Sequence, residues 1–206
     1  QGPEMQIAFV VNGILPKGSN EPLLKKSLGE SDLLAVTRPL GTGVLFAAQM
    51  KLLASGTQLN SALACMARSN SVETSIVRDL GIKAVTDVTG FGVAGHLLEM
   101  LSSGQGAVID VGALPAYDGV LELLEAGVRS TMHWENKKSV ETLMIGSQRA
   151  SLRAELVFDP QTCGGLLLGL DRSKLDDLQN KLAAQGLTSY VIGRVEACSE
   201  SRIELC

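Results

Sequence analysis

Gly90-Phe-Gly92-Val-Ala-Gly95 opens a stretch of helical spacing directly after a short strand-like run, and Asp110 lies 20 residues beyond Gly90. On paper this is the fingerprint of a dinucleotide-binding turn, where bare glycine backbone meets a pyrophosphate at a helix amino terminus. Thr86 and Asp87 oppose that reading, because such a strand ends apolar and an anionic Asp87 repels a pyrophosphate. A divalent cation reverses the sign. A carboxylate at a strand end beside helix amides holds Mg²⁺ against phosphate oxygens, which makes Asp87 a metal ligand and Thr89, Gly90 and Gly92 phosphate contacts. A structural role stays open as well, with Asp87 as a helix N-cap or Asx-turn residue. His96, one turn into the helix, admits a metal role or that of a hydrogen-bonded, partly buried histidine.

Two further glycine turns have chemical content. Gly41-Thr42-Gly43 offers backbone N–H groups at a helix start, an anion cradle or a plain capped start; no lysine follows it, so it is not a Walker motif. Asp159-Pro-Gln-Thr-Cys-Gly-Gly165 is stiff and glycine-rich, as befits either a functional turn or tight geometry between two strands. Cys163 invites a nucleophile reading, but no evident base accompanies it in sequence.

These turns need elements to hold them. Residues 33–36 read as a short buried strand, 84–87 and 107–111 as further strands, and 156–158 and 166–170 as strands flanking the 159–165 turn. Helices are expected from the Gly41 turn to about residue 54, after Asn60, after Ser71 up to Gly81, after Gly92, over 119–126, and after a Ser173-x-x-Asp176 cap up to Gly186. The polar stretch 129–138 shows no period. Residues 190–195 and 202–205 read as a closing antiparallel hairpin. The expected class is therefore α/β (α+β): a mixed β-sheet packed by helices.

Composition narrows the functions. The 206 residues carry 18 Lys and Arg against 22 Asp and Glu, and the pI is near 5.3, with no basic stripe for nucleic acid. No run approaches the roughly 18 apolar residues of a membrane span. The four cysteines form no C-x-x-C pair, as expected of free thiols in the cytoplasm. The chain opens without Met into a strand-like run at 5–11 and a turn-rich arm over 12–32. The expected layout is 1–32 as the last strand of an amino-terminal domain plus a connector, and 33–206 as a carboxy-terminal α/β domain.

Taken together, Thr37-Arg-Pro-Leu-Gly-Thr-Gly43, Ala84-Val-Thr-Asp-Val-Thr-Gly-Phe-Gly-Val-Ala-Gly-His96 and Asp159-Pro-Gln-Thr-Cys-Gly-Gly-Leu-Leu167 resemble selenophosphate synthetase (selenide, water dikinase), over essentially the whole chain. The resemblance implies the carboxy-terminal domain of an enzyme in the aminoimidazole-ribonucleotide-synthetase-like superfamily. It implies ATP and selenide as substrates, Mg²⁺ as cofactor, and selenophosphate, AMP and phosphate as products. It makes Asp87 this domain's one metal carboxylate. It puts the nucleophilic Cys or selenocysteine, a partner Lys and the other metal carboxylates in the amino-terminal domain, so the chain alone is expected to be inactive and the full-length enzyme to be a homodimer. Arg38 stands where the family has Lys and Cys163 where Ser is usual. The rival readings are a Rossmann-type dinucleotide domain, another ATP-using member of the superfamily, or a non-catalytic assembly domain.

Overall fold

Along strand β1 (Leu33–Val36) and strand β5 (Leu166–Leu170) every residue is buried, yet neighbours serve different cores, because successive side chains of a strand leave opposite faces. Leu34, Val36 and Leu167 join one apolar cluster; Leu33, Ala35, Leu166, Leu168 and Leu170 join the other. A sheet buried on both faces needs helices on both. Helices α1 (Thr42–Met50), α2 (Gly56–Met66), α4 (Gly92–Met100), α5 (Val120–Glu125) and α6 (Thr131–Val140) contribute to the larger cluster, while α3 (Ser71–Asp79) and α7 (Leu175–Ala183) contribute Ile76, Val77, Leu178 and Leu182 to the smaller.

The computed structural model describes Val10, residues 12–14 and residues 22–206. The strand read at 5–11 lies outside the described residues except for Val10, as do residues 15–21 of the 12–32 arm. With β2 (Ala84–Asp87), β3 (Gln105–Ile109), β4 (Met144–Ile145), β6 (Tyr190–Ala197) and β7 (Ile203–Leu205), the described residues form one sheet in the order β2-β5-β1-β6-β3-β7-β4. The pairings β3·β7 and β4·β7 are parallel and the others antiparallel, so the sheet is mixed as expected. Leu24 forms a short parallel bridge beside Ala84, and so the arm covers part of the free edge of β2.

Four expectations are corrected. Residues 190–205 are not a hairpin: β3 lies between β6 and β7, and the 198–202 link crosses its start, where the Cys198 N–H bonds Gly104 O and Gly106 leaves room for the Cys198 side chain. Residues 156–158 belong to no strand; Arg153–Val157 is a 3-10 helix running into the Asp159 turn. Ser173 does not cap α7: Asp171, two residues ahead, accepts from the Ser173 backbone and hydroxyl and caps the 3-10 turn Arg172–Lys174, which runs into α7 without a further side-chain cap. Helix α2 starts before Asn60, at a capping box between Ser55 and Gln58.

Candidate functional site

Strands β1 and β2 both run antiparallel to β5, which lies between them. Their carboxyl ends and the amino end of β5 therefore share one end of the sheet, and this brings the three glycine motifs together. The Thr37 N–H bonds Leu166 O while the Thr37 hydroxyl accepts from the Leu166 N–H, and the Val88 N–H bonds Gly165 O. Glycine is required where these loops touch. A Cβ at 164 would meet the Val88 carbonyl, and one at 165 would meet Thr37 Oγ1 at 2.6 Å and the Arg38 backbone nitrogen at 2.8 Å. Arg38 itself is buried beside Glu73, with Nη2 3.6 Å from Oε1, and donates to the carbonyls of Cys163 and Arg68. That clasp holds exposed Cys163 at φ 49°, in the left-handed region.

Asp159 closes the assembly from below. Its Oδ2 accepts from the Gly43 N–H at 3.0 Å and from Gln161 Nε2 at 3.0 Å, and Gln161 Oε1 accepts from the N–H groups of Gly41 and Thr42. The amide cradle at the start of α1 is thus filled by two side chains of the 159–165 turn. Asp159 is wholly buried with Oδ1 unbonded, and desolvation pushes its carboxyl up to about 7 against the pull of its three donors, Gln161 and the Val44 and Gly43 amides.

The Thr89–Gly92 loop rests on the same turn: Thr89 O accepts from the N–H groups of Gln161 and Gly92, and Asn136 donates to Gly90 O and Phe158 O. Gly92 adopts φ 68°, and a Cβ there would lie 2.7 Å from Val157 O. Gly92→Ala therefore combines backbone strain with a backbone clash, with an expected cost of about 2 kcal/mol or more in a urea melt. Gly104→Ala is the control: it has φ 86° but open space around it, and should lose only about 1 kcal/mol.

Asp87 ends β2 exposed, and its carboxylate has no hydrogen bond or ion pair among the described residues. It does not cap α4, whose first turn follows Phe91 without any side-chain cap. His96 is committed elsewhere. Its Nε2 accepts the Thr89 N–H at 3.1 Å, and Nδ1 lies 3.5 Å from Glu99 Oε2. Burial lowers its pKa, with Glu99 pulling the other way, so the neutral ring orders the loop and its acceptor nitrogen is not free for a metal. Among the described residues no three His, Cys, Asp or Glu side chains gather as a metal cage.

Beside these loops lies a cavity of about 500 Å³, with Gly43 and Gly90 in its lining. Phe46, Ala47, Met50, Met132 and Pro160 give it an apolar wall; Lys51, Arg129, Thr131, Gln161 and Thr162 give it polar groups. Gly41, Thr42, Thr89, Gly92 and Asp87 are outside that lining. Arg129 arrives through a cluster that sequence reasoning missed. Glu155 accepts from Arg129 Nε at 3.3 Å, His133 Nε2 at 2.7 Å and Lys137 Nζ at 2.6 Å. Burial alone would raise the Glu155 carboxyl, but the hydrogen bonds from His133 and Lys137 outweigh it and hold it down at about 2.

The topology removes the dinucleotide reading. Strands β5, β1 and β6 separate β2 from β3, so Asp110 is far from the Gly90 turn, and its carboxylate caps a 3-10 turn at Gly112 and Ala113. A Rossmann unit needs those two strands parallel and close.

What the fold and the loop assembly define is a mixed-sheet α/β domain with its glycine turns gathered at one end. The chain belongs to the family described as AIR synthase related protein, C-terminal domain, which matches residues 29–206. Among its relatives are selenide, water dikinases: that of Treponema denticola is 34% identical over 90% of this chain and 52% of its own length, and that of an Escherichia coli strain 35% over 94% and 55%. The chain thus spans about half the length of the curated relatives it matches. The same fold occurs in thiamine-monophosphate kinase of Stenotrophomonas maltophilia (TM-score 0.57, 17% identity, 88% of this chain and 52% of that one). It occurs also in a hydrogenase maturation protein of E. coli (TM-score 0.61, 19% identity, 89% and 49%).

Proposed function

We propose that the chain is the carboxy-terminal domain of a selenide, water dikinase, which converts selenide, ATP and water to selenophosphate, AMP and phosphate. The observation that carries this is the assembly of all three resembling motifs at one sheet end next to an unpartnered carboxylate, in a chain 31–35% identical to such enzymes.

Asp87 fits an oxygen-seeking divalent cation such as Mg²⁺, and as a single carboxylate it calls for further ligands from the other half of the enzyme. Bound there, Mg²⁺ supplies charge neutralisation on the phosphates of ATP. The chain's own part is to turn the Gly90 amide toward those phosphates, with Thr89 and Gly92 holding the loop in shape through their bonds to His96 Nε2 and Thr89 O. Gly41, Thr42 and Gly43 lock Asp159 and Gln161 beneath them, and Gly43 adds its surface to the cavity wall.

The nucleophile and the remaining metal ligands belong in this reading to the amino-terminal domain, so this chain alone is inactive and the whole enzyme is a cytoplasmic homodimer. Among the described residues no helix is long and apolar enough to cross a membrane. Mixing the chain with a separately produced amino-terminal half should restore selenide-dependent AMP release that neither piece shows alone. Release of ADP without any response to selenide would instead point to another ATP-using member of the superfamily.

A further inference from the structure

We infer that Arg129 is an oxyanion-contacting residue of the 500 Å³ cavity, working with Lys51 on a polyphosphate chain, and that Glu155 is the positioning residue that aims it. This rests on the phosphate-handling reading above and assigns it side chains that no motif contains.

The guanidinium is anchored at two of its three nitrogens. Nε donates to Glu155 Oε2 at 3.3 Å and Nη1 donates to Leu124 O at 3.0 Å, while Nη2 has no hydrogen bond among the described residues. The Trp134 ring lies 5.8 Å from the guanidinium carbon and limits its swing from another direction. A guanidinium fixed at two of its three nitrogens presents the third, Nη2, in a set direction, where its N–H groups suit a phosphoryl oxygen.

Glu155 is built to be such an anchor. Its side chain is 11% exposed and meets three cationic or donor groups, so it stays a carboxylate when Arg129 turns toward a ligand. His133 and Lys137 fix both of its oxygens from α6, and Lys137 in turn lies 5.4 Å from the Phe158 ring. The arrangement is costly to bury for stability alone, since two cations and a histidine converge on one carboxylate. Lys51, in the same lining, has no ion pair among the described residues and supplies a second positive charge.

The test is a calorimetric titration of the 206-residue chain with inorganic tripolyphosphate and, separately, orthophosphate, both without divalent metal. The wild type should bind tripolyphosphate at low millimolar concentration and orthophosphate more weakly. Arg129→Gln should weaken tripolyphosphate binding by about tenfold, the loss of one charged hydrogen-bonding group. Glu155→Gln should weaken it severalfold although Arg129 is still present. Arg129→Lys, which keeps the charge but not the fork, should recover only part of the affinity. If Glu155→Gln unfolds the chain, the Arg129 Nε–H resonance decides through its response to tripolyphosphate in the wild type.

Absence of wild-type binding, unchanged affinity in Arg129→Gln, full recovery in Arg129→Lys, or equal affinity for orthophosphate would overturn the inference. Asp87 is outside the lining of this cavity, so the metal-free titration reads Arg129 and not the metal carboxylate. The inference and the proposed function therefore fail separately: an Arg129→Gln null here leaves selenide-dependent AMP release by the mixed halves untouched.

Discussion

Between pH 4 and pH 7 the chain should lose about 3 kcal/mol of folding stability through Asp159 alone, and Asp159→Asn should abolish that loss. The sign follows from where the proton is held. Burial raises the folded-state carboxyl from 3.8 to about 7, so in that window the folded state keeps a proton that the unfolded state has released. Stability is greatest below the unfolded value, falls as pH rises through the window, and levels off once both states are ionised. Asn mimics the protonated acid and removes the titration, while keeping an oxygen for the amides of Gly43 and Val44. Urea melts of both proteins across the range isolate the effect, because Asp32, also raised by burial, is common to both and cancels in the difference. Parallel pH profiles for the two proteins would mean that the Asp159 carboxyl does not titrate in this window.

The same residue shows what sequence could and could not reveal. The Asp159–Gly165 turn was legible as stiff and glycine-rich, but its use as the cap of α1 joins residues 116 positions apart, and no local pattern encodes that. The strands at 33–36 and 84–87 were legible from short apolar runs, and the loop after Asp87 from its glycines, because in each the cause is local. Helix α6 was not. The residues it buries are His133, Asn136 and Val140, spaced as a helix requires but two of them polar, so no apolar stripe marks the face. That helix carries the His133 and Lys137 contacts to Glu155, and the cluster was lost with it. The misread hairpin has the same origin: residues 190–205 contain two good strands, and only the whole sheet shows that β3 enters between them. Conversely, the dinucleotide fingerprint was locally complete in Gly90, Gly92, Gly95 and Asp110 and globally impossible, since three strands separate its two halves.

The largest effect on activity is expected at Asp87. Thr86, Thr89, His96 and Glu99 are all bonded within the loop and helix around it, but the Asp87 carboxylate is left without a partner at the strand end. Its removal should therefore cost the fold little and the chemistry much. Asp87→Asn keeps the shape and removes the charge that would hold one cation against the phosphates, for an expected loss of at least about 100-fold in turnover with a near-unchanged melting curve. The measurement that decides the account is selenide-dependent AMP release by this chain mixed with an amino-terminal half, wild type against Asp87→Asn. Release by the wild-type mixture and its near-complete loss in the variant are the expected results. Full activity in Asp87→Asn would make Asp87 an ordinary surface residue and remove the metal-phosphate site from this end of the sheet.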